Sequence, residues 1–259
     1  MRINASTSIS TPSLLLVPYC PHHVPTYHDW MQDPSIQEAT ASEPLSLEEE
    51  YAMQRSWRTD RDKLTFIVCS PLQPDVDGAG AVVKAGRDDT PERMVGDVNL
   101  FLFDYELDED YDNGNDAGDG GQAAKSTLDG DASTASARAV VGELELMIPS
   151  PSKRRKGYGR STLLAFIYYI LDGWAAIAVE YTGSRDGEET ATLAYLRVRI
   201  NESNQGSLRL FGSLGFTQVG SANYFGEVEL RWLPGVDALR ARKAWQEPKL
   251  LRYGGHEEG

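Results

Sequence analysis

The chain has 259 residues, of which 41% are hydrophobic. This size and composition predict a globular protein with a core large enough to be stable without disulfide bonds. Its two cysteines, Cys20 and Cys69, lie far apart, which excludes a disulfide framework and is typical of a reducing compartment. The net charge of −14 argues against a nucleic-acid partner. No apolar run reaches the roughly 18 residues of a membrane span, so we expect no membrane partner either.

Hydrophobic periodicity predicts ten regular elements in the order β-α-α-β-β-β-α-β-α-β. The clearest helix start is Ser46, because Glu49 follows three residues later and completes a capping box. Pro25 is expected to break the first helix early. The predicted strands are 14–19, 64–69, 94–103, 139–148, 192–200 and 221–233, and the predicted helices are 21–32, 46–60, 157–173 and 204–216. This order predicts a mixed α/β sheet.

Three segments, 70–93, 104–138 and 182–191, are rich in Gly, Asp, Ser or Pro and lack apolar periodicity. Between residues 104 and 131 there are ten Asp or Glu against one Lys, a local charge of −9 that leaves −5 for the rest of the chain. Such segments bury too little surface to offset the entropy of ordering, so we expect disordered insertions. Because strand-like runs flank them, we predict one domain, residues 1–233, with expanded loops and a C-terminal tail, 234–259.

A basic turn with two glycines stands between the fourth predicted strand and the most apolar helix. Five of the eight residues from Lys153 to Arg160 are basic, and Gly157 and Gly159 lie among them. The unpaired amides and positive dipole of a helix N-terminus bind phosphate, and glycine lets the backbone approach it. The spacing lacks the lysine of a P-loop and the third glycine of a dinucleotide fingerprint. What remains is a phosphate-binding pattern of another kind, Arg154-x-x-Gly157-x-Gly159.

The same "KRRK" at 153–156 also fits a nuclear localisation signal or an ordinary solvated basic patch. A localisation signal normally lies in an accessible flexible segment, whereas this one is enclosed between a strand and a buried helix. Its position therefore favours a binding role. The polar N-terminal segment shows no secretory signal, so we expect a cytoplasmic protein, with a nuclear location left open.

The pattern Arg-x-x-Gly-x-Gly between a strand and a buried helix resembles the acyl-CoA-binding motif of the GCN5-related N-acetyltransferase (GNAT) superfamily. A second segment resembles that family's second motif, with matching spacing at Asn204, Ser207, Leu208, Phe211, Gly215 and Phe216. Further segments resemble the N-acetyltransferase nine-like subfamily, namely 40–57, 62–68, 94–102 and 142–148. The resemblance covers nearly all of the chain except the three insertions and the segment after about residue 232.

The resemblance implies the GNAT fold, an α/β fold with a mixed, mostly antiparallel twisted sheet, a splayed parallel strand pair and flanking helices. Here it would carry long acidic loop insertions. It implies acetyl-CoA as cosubstrate, bound in the gap between "LELMI" and its parallel neighbour "LAYLRVRI". The residues implied in binding it are Met147, Ile148, Arg154, Arg155, Lys156, Gly157, Tyr158, Gly159, Arg160, Asn204 and Phe211.

The implied activity is transfer of an acetyl group from acetyl-CoA to an amine of a protein or peptide acceptor, by direct attack in a ternary complex. The attacking amine must be neutral, so a group must take its proton. Glu143 and Glu145 alternate along one strand and share a face. They are the candidate catalytic residues, and Glu145 is preferred because it lies nearer the strand end. The alternative is that both lie on a plain solvent-exposed face.

One residue departs from the family pattern. Many members carry Tyr where this chain has Phe211, and that Tyr is thought to protonate the leaving thiolate. Phe has no proton to give, so water or another group such as Tyr224 would act as the acid. The departure supports a second hypothesis, a CoA-binding or adaptor module of the same fold with little or no turnover.

Three histidines, His22, His23 and His28, cluster near the N-terminus. Their spacing matches no metal motif, and a metal site would need a further Cys or carboxylate at ligand geometry. We therefore predict no metal site.

Overall fold

One large sheet organises the described part of the chain. The computed structural model describes residues 1–40, 42–72, 81–105, 138–184, 191–232, 235–242 and 245–254. Its strands are β1 (Thr7–Thr11), β2 (Leu14–Pro18), β3 (Lys63–Cys69), β4 (Val82–Lys84), β5 (Met94–Asp104), β6 (Arg138–Met147), β7 (Ala191–Asn201), β8 (Thr217–Val219), β9 (Glu227–Trp232) and β10 (Lys249–Gly254). Its helices are α1 (Val24–Met31), α2 (Pro34–Thr40), α3 (Leu47–Thr59), α4 (Tyr158–Asp172), α5 (Trp174–Thr182), α6 (Gln205–Ser213) and α7 (Val236–Arg240).

The sheet is mixed and mostly antiparallel. Its ten strands follow the order β4-β10-β1-β2-β3-β5-β6-β7-β9-β8. Two neighbouring pairs are parallel, β6 with β7 and β10 with β4, and the other seven are antiparallel. The predicted fold class, a mostly antiparallel sheet with a parallel pair and flanking helices, is confirmed.

The two faces of the sheet are covered differently. On one face α4 forms the main core, where the Phe66 and Phe166 rings meet edge to face at 5.9 Å. On the other face α1 packs over β2 and β3, with Tyr27 and Met31 in one apolar cluster with Ile67. Further along this second face, β6, β7 and β9 carry charged side chains, among them Glu143 and Arg197. A partly open polar surface therefore lies beside α1 and α3.

The first two helices follow the sequence signals, with one correction. Ser46 caps α3 and forms the predicted capping box with Glu49. The predicted early break at Pro25 is wrong. Residues Pro21–His23 form a turn of 3₁₀ helix, and Pro25 lies in the first turn of α1. Proline is tolerated there because the first amides of a helix have no partner in the helix.

The predicted loop at 70–93 and the predicted tail at 234–259 both contain sheet strands. Within the first, Val82–Lys84 forms β4, and within the second, Lys249–Gly254 forms β10, which pairs with β1 and β4. The Tyr253 hydroxyl donates to the buried carboxylate of Asp89 at 2.6 Å and so joins the two segments. Sequence periodicity missed these strands because they are short and mostly exposed.

The other two predicted insertions lie largely outside the described residues, which omit 106–137 and 185–190. The ends of the larger one are fixed, because Asp104 closes β5, Arg138 opens β6, and their side chains form an ion pair. The sequence also missed five other short elements, β1, β8, α2, α5 and α7. The predicted strand at 221–233 begins only at Glu227.

We predict that Tyr253→Phe destabilises the protein by about 1–3 kcal/mol, because the buried Asp89 carboxylate loses one of its donors. Urea unfolding followed by circular dichroism measures this change. Leu250→Ala, which alters a half-exposed side chain of the same strand, is the control and should cost much less. Equal stability of wild type and Tyr253→Phe would show that the C-terminal strand is not anchored through Asp89.

Candidate functional site

The parallel strands β6 and β7 separate halfway along their length. They pair from Arg138 opposite Ala191 to Glu143 opposite Arg197, and then the pairing stops. Beyond that point β6 continues to Met147 against β5 only, and β7 continues to Asn201 against β9 only. The facing edges of the two strands therefore carry backbone N–H and C=O groups that are free to bind an extended ligand. The splayed parallel pair is the one expected from the sequence.

The N-terminus of α4 opens directly onto this cleft. Gly157 is its N-cap residue, with φ of +90°, and no side chain caps the helix. Arg155 also has positive φ, +59°, so the turn is bent in a left-handed conformation at two positions. The amide of Ser161 makes the first hydrogen bond into the helix, to the Gly157 carbonyl. Within the described chain no backbone group accepts from the amides of residues 155–160. Unpaired amides at a helix N-terminus are the arrangement that suits an anion.

The basic side chains of the turn divide into two groups. Lys153 donates to the Met94 carbonyl at 2.7 Å, and Arg154 donates to the carbonyls of Ile148 and Pro149 at 2.8 and 2.9 Å. The guanidinium of Arg154, which is predicted to bind the cofactor, fixes the turn against the end of β6. This use of both side chains also argues against a flexible localisation signal.

The remaining basic residues face solvent or the next helix. Arg155 and Lys156 are exposed, and no hydrogen bond or ion pair holds their side chains within the described chain. Arg160 donates to the Ser213 hydroxyl at 2.9 Å, which joins α4 to α6. Arg155 and Lys156 are thus the cations best placed for a ligand at the turn.

The second glycine of the turn allows close packing of α4. A Cβ at Gly159 would lie 3.1 Å from Leu210, 3.4 Å from Leu146 and 3.8 Å from Ile148. At Gly157, by contrast, a Cβ would meet nothing within 4 Å. Gly159 is therefore required by packing between β6, α4 and α6, and Gly157 by its backbone conformation.

Three other predicted cofactor-binding residues have structural roles in the described chain. Asn204 caps α6, because its side-chain oxygen accepts from the Ser207 amide at 3.1 Å. Phe211 is 5% exposed and packs edge to face on Phe216 at 5.2 Å. Tyr158, the first residue of α4, is half-buried against the main core.

The two candidate carboxylates, Glu143 and Glu145, lie in different environments. This difference could not be read from the sequence. Glu143 accepts from Arg197 at 2.7 Å and lies 4.0 Å from Arg199, so its charge is neutralised. Glu145 has no hydrogen-bond or ion-pair partner in the described chain. Although the Glu145 side chain is exposed at the cleft, desolvation by the surrounding protein, together with the nearby Asp97 and Glu143, raises the pKa of Glu145 to about 7. Its side chain still reaches solvent, so it is open to an incoming group.

A buried polar pair supports Glu145 from the neighbouring strand, and the sequence analysis missed it. Asn99 is opposite Glu145 on β5, and its Nδ2 donates to Asp97 at 2.8 Å. Burial raises the pKa of Asp97 to about 7. One side-chain oxygen of each residue has no partner in the described chain. The signal available in the sequence was "GDVNLF", in which two polar residues alternate within an apolar strand.

The suggested alternative acid, Tyr224, lies far from any buried environment. It is 96% exposed in the turn between β8 and β9, where it contacts Phe225 at 5.4 Å. Phe211 lies inside the core and offers no proton. The described residues therefore give the leaving group no obvious protein acid, and solvent at the open cleft is the proton source that the geometry allows.

The structure places a cysteine and a carboxylate, Cys20 and Asp89, beside two of the three N-terminal histidines, His22 and His23. The ligand atoms of Cys20, His22 and His23 lie within 4.8 Å of one another, and Asp89 lies 3.1 Å from Nε2 of both histidines. However, His23 Nδ1 accepts from the Cys20 amide at 3.0 Å, so a neutral ring carries its proton on Nε2 and donates to Asp89. In that state His23 has no lone pair for a metal, and the cluster acts as a hydrogen-bonded link to Tyr253.

No single helix in the described ranges is both long and apolar enough to cross a bilayer. The bent pair α4–α5, with 71° between its helices, passes the same length and composition test when the two are joined. Eight residues of α4 are buried in the protein core, which accounts for its apolar composition.

Comparisons with known proteins agree with this geometry. An acetyltransferase (GNAT) domain model matches residues 13–217. The chain is 41% identical over 232 residues to the N-acetyltransferase 9-like protein of Schizosaccharomyces pombe, covering 89% of this chain and 97% of that protein. It is 36% identical over 232 residues to alpha/beta-tubulin-N-acetyltransferase 9 of Homo sapiens, and the match covers 89% of this chain and 85% of that protein. A solved spermidine N-acetyltransferase chimera, from Vibrio cholerae SpeG and hSSAT, has a TM-score of 0.51 at 13% identity, covering 89% of this chain and 99% of that one.

We predict that the Glu145 carboxyl titrates with a midpoint near 7 and that Asp97→Asn lowers this midpoint, because a neighbouring negative charge is removed. Carboxyl-carbon NMR titration of labelled protein measures both values. Glu145→Gln identifies the resonance, since it removes that signal alone. A wild-type midpoint below about 5, near the ordinary range of Glu, would contradict the account of this site.

Proposed function

Since this chain belongs to the GNAT acetyltransferase family and is an N-acetyltransferase, we propose that it binds acetyl-CoA in the β6–β7 cleft and transfers the acetyl group to an amine of a protein. The observation that carries the proposal is the convergence of three features at one point. The open edge of β6, the uncapped N-terminus of α4 and the unpaired carboxyl of Glu145 all border the same cleft.

The described residues fit the parts of the cosubstrate. The amides of residues 155–160 and the exposed side chains of Arg155 and Lys156 suit a pyrophosphate, which carries negative charge. The free edge of β6 near Met147 suits the amide-containing pantetheine arm, which can pair with it as a further strand does. The Ile148 carbonyl is already occupied by Arg154, so the amide is the group of Ile148 left for binding.

Acetyl-CoA supplies a thioester whose carbonyl carbon accepts the amine. As the C–N bond forms the C–S bond breaks, and coenzyme A leaves as the thiolate and takes a proton from solvent. Glu145 takes a proton from the incoming ammonium, directly or through a water, and so makes the amine nucleophilic. A carboxyl with a pKa of about 7 is largely ionised above neutral pH and remains basic enough to hold that proton. An amide at the end of β6, of Met147 or Ile148, donates to the oxygen on which negative charge develops.

The acceptor approaches from the face that carries α1 and α3. On this face Glu145 is open to solvent. An open cavity of about 730 Å³ lies over β7 and β9 on the same face, and Arg199 is among its lining residues. An open surface of this size suits a segment of a protein better than an enclosed small molecule. The name of the human relative, which specifies alpha/beta-tubulin, supports a protein acceptor.

We predict that Glu145→Gln lowers kcat by about 100-fold, the usual contribution of a general base. In wild type, kcat/KM should rise with pH through about 7, because Glu145 must lose its proton to act. The variant should lose this rise. The measurement is CoA release from acetyl-CoA with an acceptor peptide library.

Two controls accompany Glu145→Gln. Glu143→Gln removes a carboxylate that is neutralised by Arg197, so it should lower kcat less than about threefold. Asp172→Asn changes an exposed residue at the far end of α4 and should have no effect. Equal losses for Glu143→Gln and Glu145→Gln would overturn the assignment of Glu145.

We predict that acetyl-CoA raises the Tm of wild type and of Gly157→Asn but not of Gly157→Glu. Asn tolerates positive φ at modest cost, whereas Glu brings a negative charge to the phosphate-binding amides. Differential scanning fluorimetry with saturating acetyl-CoA measures the shift. A full shift in Gly157→Glu would place the cosubstrate elsewhere.

A second function, a CoA-binding or adaptor module without turnover, remains a distinct prediction. It rests on Phe211, which cannot act as an acid, and on the acidic insertions. It predicts a Tm shift with acetyl-CoA and no CoA release with any peptide. CoA release that depends on Glu145 would reject it.

A further inference from the structure

A cluster of alternating charges covers the open face of β6, β7 and β9 beside the cleft. Three arginines, Arg197, Arg199 and Arg231, meet two glutamates, Glu143 and Glu229. These five side chains carry a net charge of +1 in a chain with a net charge of −14, and the adjoining cavity is also lined by Asp104 and Glu227. A cationic excess on an acidic protein, next to the cleft, points to an anionic group that binds there.

Two of the arginines are held by short contacts. Arg197 donates to Glu143 at 2.7 Å and stacks over the Phe103 ring at 5.1 Å. Arg231 donates to Glu229 at 2.5 Å and stacks over the Tyr195 ring at 4.4 Å. Their guanidinium groups are therefore fixed, and their charges are matched by the two glutamates.

Arg199 is the arginine with unused donors. Its guanidinium nitrogens lie 4.0 Å from Glu143 and 3.6 Å from Glu229, too far for hydrogen bonds. Its side chain is 46% exposed, against 14% for Arg197. A guanidinium presents five N–H donors in a planar fork that matches a carboxylate. Arg199 therefore makes only long ion pairs with the two glutamates, and its N–H donors can hydrogen-bond a further anion.

The sheet register places Arg199 level with Glu145. Glu143 and Arg197 are the last parallel pair, and Glu145 and Arg199 each follow two residues later on strands of the same direction. Residues two apart point to the same face, about 6.6 Å further along. The two side chains therefore border the opening of the cleft from opposite strands, on the face from which the acceptor approaches.

The same cavity that the acceptor would occupy contains Arg199. The negative residues at its rim are already engaged, since Asp104 pairs with Arg138 and Glu227 accepts from Asn223 at 3.1 Å. An incoming carboxylate can therefore hydrogen-bond Arg199 while the longer ion pairs to Glu143 and Glu229 remain.

Building on the proposed function, we infer that Arg199 selects acceptors that carry an Asp or Glu close to the amine. An extended peptide advances about 3.4 Å per residue, so a carboxylate one to three residues from the amine at Glu145 reaches across the widening cleft. The acceptor class is then a protein segment with an acidic residue beside its reactive amine. Arg199 is a specificity-determining residue, and Glu145 remains the catalytic one.

Matched peptides test this inference. Peptides with Glu at the second, third or fourth position from the amine are compared with the same peptides carrying Gln. At one or more of these positions, the kcat/KM of wild type should be about tenfold higher for the Glu peptide than for the matched Gln peptide, mostly through a lower KM. Arg199→Gln should abolish the difference, and Arg199→Glu should reverse it in favour of Lys at that position. Arg252→Gln, an exposed residue of β10, is the control and should keep the preference.

The outcomes separate the two proposals. Turnover by wild type without any Glu preference, or a preference that persists in Arg199→Gln, would overturn the role of Arg199 and leave the acetyltransferase proposal intact. No CoA release with any peptide, although acetyl-CoA still raises the Tm, would overturn both. Circular dichroism should show that Arg199→Gln folds normally, because Glu143 and Glu229 keep Arg197 and Arg231 as partners.

Discussion

The last parallel backbone pair, Glu143 with Arg197, separates the closed half of the sheet from the open half. Before it, β6 and β7 satisfy each other's backbone groups. After it, each strand keeps only its outer neighbour, and the free edges create a site for an extended ligand. The ion pair between the same two side chains lies at the point where the strands begin to diverge, and it links them there. The proposed positions of the cosubstrate, the base and the acceptor all follow from this divergence of the two backbones.

The divergence of β6 and β7 also explains why two carboxylates on one strand, Glu143 and Glu145, have different surroundings. Glu143 lies on the closed side, where an arginine from β7 reaches it. Glu145 lies two residues further on, where β7 has moved away and no cation replaces it. Burial and two neighbouring acids then raise its pKa to about 7. Strand divergence thus gives the two members of a repeated pattern different environments, and the proposed base is the member on the open side.

Most of the fold was predictable because long apolar segments determine it. The buried helix α4 and strands β3, β5, β6 and β7 all stood out by periodicity, and the turn before α4 by its glycines. Short polar strands such as β4 and β10 were not predictable, because their stability comes from pairing and from the Asp89 network rather than from their own residues. The difference between Glu143 and Glu145 was also hidden, since it depends on Arg197, which lies 54 residues away in the chain. The contacts of Arg154 were hidden in a similar way, because a guanidinium in a basic turn can bind nearby carbonyls as well as phosphate.

The central claim is that one cleft, bounded by the edge of β6 and the N-terminus of α4, binds the cosubstrate. Amide chemical-shift mapping during a titration with coenzyme A tests it most directly. The account predicts that the largest shifts fall on residues 155–160 and 144–148, with smaller shifts at the distant strands β1 and β10. Large shifts confined to residues away from the cleft, with residues 155–160 unchanged, would contradict it.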